Sequence, residues 1–177
     1  IYYKLHPGDF TPIGDESLIA TQNVEAEQAL ESALYLSDKY TVTNALSIEG
    51  GIRYSLYNYL GPGTVNYYAQ GVPKSDDTRT GSTNYEKGSI INTYDGPELR
   101  LSARYAVSPS FSIKASYNSQ RQYIHMLSNT AAMAPTDTWK LSDPNIKPQY
   151  GDQYSLGFYK NFKANTIETS VEVYYKN

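Results

Sequence analysis

Residues 97–107 read PELRLSARYAV, a run in which apolar and polar side chains alternate strictly from Pro97 to Tyr105. After the turn VSPS at residues 107–110, the stretch FSIKASYN at residues 111–118 repeats the same alternation. Side chains on a β-strand point to opposite faces in turn, so each run presents one apolar and one polar face. Pro109 suits the turn because it has no backbone N–H to donate to a ladder. The two runs therefore predict an antiparallel β-hairpin.

The same pattern recurs elsewhere along the chain. Residues 43–60 form one long run, and residues 153–162 and 166–176 form a final pair. A tilted strand needs about 9–11 residues to cross a bilayer, and residues 43–60 exceed that length. Residues 25–36 also alternate, although Leu30 and Leu34 at i, i+4 would equally suit a helix. We favour a strand there, because a short turn at residues 37–41 would lead into residues 43–60.

The connections between these predicted strands alternate in length. Tight turns are expected at residues 37–41, 107–110 and 161–165, whereas residues 61–97 and 125–152 are long and polar. Hairpins with short turns at one end and long loops at the other are typical of transmembrane β-barrels. The sequence therefore predicts an all-β, antiparallel, up-and-down transmembrane barrel, with residues 1–24 as an outer loop segment and 25–177 as a partial barrel wall.

About six strands in three hairpins cannot close a barrel, since single-chain bacterial barrels have about eight strands or more. An open sheet of this kind would leave two unpaired edges. We therefore expect the rest of the barrel to lie outside this chain, which begins at Ile1 and ends directly after a strand pattern.

The amino-acid composition is compatible with a membrane protein and excludes some kinds of site. Tyr occurs 19 times, against 4 Phe and 1 Trp, and Tyr suits a membrane–water interface, although it also favours ordinary strands and binding surfaces. The absence of Cys excludes disulfides and thiolate metal sites. A net charge of −3 offers no basic stripe for nucleic acid.

Residues with catalytic or metal-binding chemistry lack the spacing that such chemistry needs. His6 and His125 fall in no His-x-x-x-His pattern, and no Gly-x-Ser-x-Gly elbow is present. The loop aspartates do not match the spacing of a calcium-binding loop. We therefore expect no enzyme activity, no cofactor and no metal site.

Five stretches in order resemble one family. They are LRLSARY (99–105), ASYNSQRQY (115–123), PTDTWKLSDPNIKPQ (135–149), QYSLGFYKNF (153–162) and ETSVEVYYKN (168–177). The chain resembles, over residues 25–177, the C-terminal half of the barrel in TonB-dependent outer-membrane receptors of the Bacteroidetes. The stretch from residue 147 to residue 158 is the most specific part.

This resemblance implies a barrel of about 22 strands in the bacterial outer membrane, closed by a plug domain. It implies energy-coupled uptake of a large or scarce nutrient, such as a glycan, a peptide or a metal chelate. The implied partners are outer-membrane lipid, the rest of the barrel, the plug, the TonB complex and, as a further candidate, a surface lipoprotein. Two alternatives stay open: a soluble β-sandwich that binds glycans, and a structural or adhesive barrel without transport.

Two groups of residues are candidates for function. Residues of the predicted outer loops are expected to bind the substrate or a partner, or else to pack their own loops: Tyr67, Tyr68, Tyr94, Asp137 and Trp139. Charged residues on the polar faces of the strands are expected to point to the lumen, where they could take part in transport or pair with neighbouring strands and the plug: Glu49, Arg53, Arg100, Arg104 and Lys114.

Overall fold

The computed structural model describes residues 1–6, 8–10, 22–127, 138–163 and 166–177. These residues form β-strands and a short 3₁₀ helix, Asp76–Thr78. In chain order the strands are β1 (Tyr2–Leu5), β2 (Gly8–Phe10), β3 (Gln22–Val24), β4 (Glu27–Thr41), β5 (Leu46–Leu60), β6 (Gly63–Tyr68), β7 (Arg79–Tyr85), β8 (Ile90–Ser108), β9 (Phe111–Gln122), β10 (Ile124–Leu127), β11 (Thr138–Leu141), β12 (Gln149–Phe162) and β13 (Ile167–Lys176). Within the described ranges, no helix is long and apolar enough to cross a membrane.

The main sheet has seven strands in the order β1-β4-β5-β8-β9-β12-β13. The pairings of β8 with β9, of β9 with β12 and of β12 with β13 are antiparallel. From β4 onward the strands of this sheet follow one another in sequence order, and β2–β3, β6–β7 and β10–β11 form separate two-stranded sheets. The prediction of an all-β, antiparallel, up-and-down architecture is confirmed.

The tight turns are partly where the sequence predicts them. The turn at residues 107–110 is confirmed, because β8 ends at Ser108 and β9 begins at Phe111. Lys163, with φ 48°, starts the turn that separates β12 from β13. The turn predicted at residues 37–41 is wrong, because β4 continues to Thr41. Its place is taken by the next residues, where the Thr43 hydroxyl accepts hydrogen bonds from the N–H of Ala45 (3.2 Å) and of Leu46 (3.0 Å).

Several segments predicted as irregular contain strands. The connection at residues 61–97 holds the β6–β7 hairpin and the first part of β8, and that at residues 125–152 holds β10 and β11. Near the N-terminus, β1 pairs with β4, with Tyr2 opposite Leu30. This pairing joins distant parts of the chain at an open edge, so a local pattern does not reveal it. The helix considered for residues 25–36 is absent, and the strand is confirmed as β4.

The described chain separates into two compact units. The first unit is Ile1–Ser32, Leu56–Tyr94 and Tyr123–Pro148, and the second is Ala33–Ser55, Asp95–Gln122 and Gln149–Asn177. The buried hydrophobic cluster of the structure lies in the first unit and consists of Ala29, Tyr57, Tyr59, Tyr123 and Leu141.

The second unit presents an apolar sheet face to its surroundings. Leu101 is 49% exposed and Val171 is 60% exposed, and Ile48, Ile52 and Leu156 are similarly uncovered. In a soluble β-sandwich this face would be packed against a second sheet of the same chain. Among the described residues it is not, so the β-sandwich alternative does not fit. A sheet with one exposed apolar face and one polar face fits a barrel wall.

Candidate functional site

A cluster of buried tyrosines forms the centre of the first unit. Tyr57, on β5, is fully buried, and its hydroxyl donates to the backbone oxygen of Ser142 at 2.9 Å. Its ring stacks on that of Tyr123. The hydroxyl of Tyr94, on β8, donates to the backbone oxygen of Asp143 at 2.8 Å. These hydroxyls satisfy backbone acceptors of the chain after β11, and so they hold that segment in a defined position.

An ion network lies beside the tyrosine cluster. The Lys140 ammonium forms ion pairs with Glu27 and with Asp143, the latter at 3.2 Å. Glu27 is buried and also accepts a hydrogen bond from the N–H of Leu141 at 2.7 Å. Burial acts to lower the pKa of Lys140, but the hydrogen bond and charge of Glu27, together with Asp143, outweigh it and leave the pKa raised. The network therefore keeps a lysine cation between two carboxylates and fixes β11 to the start of β4.

His125, on β10, is a further titratable group that contacts the segment after β11. Its Nε2 atom lies 2.8 Å from the hydroxyl of Ser142, which is fully buried. Burial lowers the pKa of His125, and the negative charge of Asp143 opposes that effect in part. The neutral imidazole is thus the favoured form in the folded protein.

A turn after β11 connects this segment to the β6–β7 hairpin. The Asp143 carboxylate accepts hydrogen bonds from the N–H groups of Asn145 and Ile146, both at 2.7 Å. The Asn145 amide donates to the backbone oxygen of Asn66 at 3.1 Å. The Lys74 ammonium donates to both the backbone and side-chain oxygens of Asn145, at 3.1 Å and 2.9 Å. Asn145 therefore bridges two segments that are far apart in the sequence.

Between these two segments lies an open groove of about 460 Å³. Among the described residues its lining combines aliphatic side chains, such as Val65, Val72 and Pro144, with phenol rings, amides and one cation, supplied by Asn66, Tyr67, Tyr68, Gln70, Lys74 and Asn145. The Lys74 ammonium lies 5.8 Å from the centre of the Tyr68 ring. Aromatic faces together with amide donors and acceptors can bind an oxygen-rich or peptide-like ligand.

The structure separates the predicted loop residues instead of collecting them in one site. Tyr67 and Tyr68 both line the groove, whereas Tyr94 belongs to the tyrosine cluster. Trp139, on β11, is 53% exposed and lies opposite Met126 of β10. Asp137 lies outside the described residues.

Three of the predicted lumenal charges line a cavity of about 380 Å³ in the second unit. These are Glu49, Arg53 and Arg100. Arg53 forms an ion pair with Glu98 of β8 at 2.9 Å, and Glu98 is only 4% exposed. A buried carboxylate needs such a partner, so Arg53 supports the packing of neighbouring strands.

The other two predicted lumenal charges lie directly opposite each other. Arg104 of β8 pairs in register with Lys114 of β9. Like charges that face each other across strands are unfavourable. Arg104 donates from Nε to the hydroxyl of Ser112 at 3.2 Å. This pair leaves the polar face of β8 and β9 positively charged near the turn at residues 107–110.

Sequence reasoning missed the tyrosine cluster and the ion network. One signal was present, because Tyr57 and Tyr59 occupy alternate positions of a strand, as residues that share one face do. No comparable signal marked Glu27 and Lys140, whose contact depends on the fold. Within the described ranges, no group of three or more His, Cys, Asp or Glu could hold a metal ion.

Comparison with known proteins identifies the family. The family model described as "TonB dependent receptor-like, beta-barrel" matches residues 2–177. Neither the curated proteins nor the solved structures include a significant match. Proteins of this family are outer-membrane transporters rather than enzymes, and their barrel encloses a plug domain and works with TonB. The chain therefore belongs to the TonB-dependent receptors, and its strands form part of the β-barrel of such a transporter.

Proposed function

We propose that the protein imports a nutrient too large or too scarce for porins, and that the groove beside Tyr67 and Tyr68 contributes to binding it. The candidate nutrients are a glycan, a peptide or a metal chelate. This proposal rests on the groove, because aromatic rings and amide groups line the same open surface. Its walls come from the two long connections that the sequence places on the outer side of the membrane.

The polarity of the groove favours some ligands over others. In the described part of the chain, the residues that line it include Asn66, Gln70 and Asn145, with Lys74 as the charged group and no carboxylate. Amides bind hydroxyl and peptide groups through paired donors and acceptors. Tyrosine rings offer flat apolar surface at low conformational cost. A neutral or anionic ligand rich in oxygen suits this lining better than a cationic one.

Trp139 supplies a second candidate contact. It is half exposed and opposite Met126, which is also exposed. An exposed tryptophan beside a methionine is a common kind of anchor for a protein partner. We propose that Trp139 and Met126 contact the substrate or a surface lipoprotein.

The remaining sequence predictions complete the proposal. Residues 1–24, of which Tyr2–Leu5 form β1 of the main sheet, lie on the outer side of the membrane, and the tight turns face the periplasm. Glu49, Arg53, Arg100, Arg104 and Lys114 point to the lumen, where the plug domain lies in this family. The sequence motifs favour a receptor of the Bacteroidetes.

Uptake by variants of the full-length receptor tests the binding role. A strain that lacks the receptor is grown on single glycans, peptides or metal chelates to find the nutrient it fails to use. The strain is then complemented with Tyr67→Ala, Tyr68→Ala or Trp139→Ala. We expect at least tenfold slower uptake at limiting nutrient for a residue that contacts the ligand, with normal amounts of folded barrel.

Tyr2→Ala is the matched control, because Tyr2 is an exposed tyrosine of the first unit that does not line the groove. Normal uptake by the groove variants and by the Trp139 variant would place recognition elsewhere in the receptor. If the deletion strain uses every nutrient normally, a structural or adhesive role replaces transport.

A further inference from the structure

The pairing registers of the second unit arrange the apolar face in rows. Each row takes one residue from β9, one from β12 and one from β13. Two successive rows are entirely apolar: Ile113, Phe158 and Val171, and then Ala115, Leu156 and Val173. This band has no charged member and is the part of the face best suited to hydrocarbon.

The next row toward the turns contains a lysine on the same face. Lys160 lies opposite Phe111 of β9 and Thr169 of β13. Its ammonium is 5.9 Å from the centre of the Phe111 ring and 6.0 Å from that of Phe162. It donates to the hydroxyl of Ser110 at 3.0 Å. In the described part of the chain, no carboxylate lies within ion-pair distance of Lys160.

The opposite boundary of the apolar band consists of tyrosines and an aspartate. The rings of Tyr117 and Tyr154 lie 5.0 Å apart, and the hydroxyl of Tyr117 donates to Asp152 at 2.7 Å. From Asp152 to Lys160 the strand rises by about 27 Å at about 3.4 Å per residue. With a strand tilt of about 40°, this is about 20 Å of depth, close to the apolar band of about 25 Å in such barrels.

Lys160 therefore lies where hydrocarbon gives way to headgroups. A lysine at mid-bilayer on the lipid face would be strongly unfavourable, whereas the cost near the interface is small. Aromatic rings are enriched at the same level. An ammonium has three donors, of which Ser110 uses one, and the Ser110 hydroxyl retains its own proton for donation.

We propose that Lys160 and Ser110 bind the phosphate of a phospholipid in the periplasmic leaflet. The ammonium supplies the charge, the hydroxyl supplies a second donor, and the apolar row of Ile113, Phe158 and Val171, on the hydrocarbon side of Lys160, flanks the acyl chains. These apolar neighbours favour a lipid over free phosphate. The site rests on the orientation proposed above, in which the tight turns face the periplasm.

Native mass spectrometry of the full-length receptor in detergent tests this site with dihexanoylphosphatidylglycerol. We expect Lys160→Gln to bind the lipid about fivefold more weakly, which corresponds to about 1 kcal/mol. Lys160→Arg should bind as the native protein does, because it keeps the charge. Lys114→Gln is the matched control, since Lys114 lies on the opposite face of the sheet, and it should leave lipid binding unchanged.

Three outcomes would overturn the assignment. The first is equal lipid binding by Lys160→Gln and the native receptor, both confirmed as folded by heat-modifiability. The second is equal binding of dihexanoylglycerol, which would show that the acyl chains alone bind. The third is displacement of the lipid by an equal concentration of inorganic phosphate, which would identify a free-phosphate site.

Discussion

The rings of Tyr57 and Tyr123 stack with their centres 4.5 Å apart and their planes inclined by 6°. One residue belongs to β5 and the other precedes β10, so this contact joins the end of a long strand to the start of the β10–β11 pair. Both rings are almost fully buried. The stacked pair therefore anchors the end of β5 against the residues that precede β10.

Removing the Tyr57 hydroxyl tests how much its hydrogen bond stabilises the segment after β11. Tyr57→Phe keeps the stacked ring but leaves the backbone oxygen of Ser142 without that donor, so we expect a loss of about 1–3 kcal/mol. Amide hydrogen exchange of residues 141–146 in the full-length receptor measures the effect. Tyr2→Phe is a control, because Tyr2 is exposed and its hydroxyl bonds elsewhere, to Gln28. Unchanged exchange in Tyr57→Phe would contradict an anchoring role for the hydroxyl.

Replacing Lys140 tests the ion network. Lys140→Met leaves the buried Glu27 and Asp143 carboxylates without their cation, and we expect a loss of about 3–5 kcal/mol in local stability. Adding Glu27→Gln should restore part of that loss, because one of the two negative charges is then removed. We expect faster proteolysis of the segment after β11 in Lys140→Met than in the native protein. The double variant should be cleaved more slowly than Lys140→Met. Equal proteolysis of native and Lys140→Met protein would contradict it.

Acidification should destabilise the segment after β11, because it protonates His125. Burial lowers the pKa of His125, so the folded state binds fewer protons than the unfolded state below the ordinary value of about 6.5. Stability is therefore complete above that pH and is lost as the pH falls through the lower, folded pKa. Hydrogen exchange near Ser142 should increase in the native protein as the pH falls below about 6.5. His125→Gln should remove this dependence, whereas His6→Gln should retain it.

The two faces of β8 should respond differently to an added charge. Leu101→Asp places a carboxylate on the exposed apolar face, whereas Ser102→Asp places one beside Arg100 and Arg104 on the polar face. We expect Leu101→Asp to reduce the yield of folded, heat-modifiable barrel severalfold and Ser102→Asp to leave it nearly unchanged. Equal yields from the two variants would show that the faces are wrongly assigned.

Much of the sheet could be predicted because its determinants are local. The alternation from Leu99 to Val107 and the turn at Pro109 are visible in the sequence itself, and both are confirmed. The turn after β4 was misplaced because Ser37 and Asp38 are good turn residues by propensity. The turn lies instead where Thr43 caps two backbone N–H groups. β1 was not predicted, because it depends on an edge formed by distant residues.

The site was less predictable for a related reason. The sequence predicts Tyr94 in an outer loop, but Tyr94 lies on β8 and packs in the tyrosine cluster. Tyr67 and Tyr68 are brought to one groove by the β6–β7 hairpin, which the sequence did not indicate. Contacts between segments far apart in sequence, such as Asn145 with Asn66, follow from the fold and not from any local pattern.

The contacts of Asn145 have a consequence for engineering receptors with new specificity. A graft that moved residues 61–89 alone into another barrel would carry Lys74 and the Asn66 carbonyl without the side chain that binds both. The transplanted hairpin would then lose the partner that orients it. Residues 142–148 should be exchanged together with residues 61–89, as one cassette.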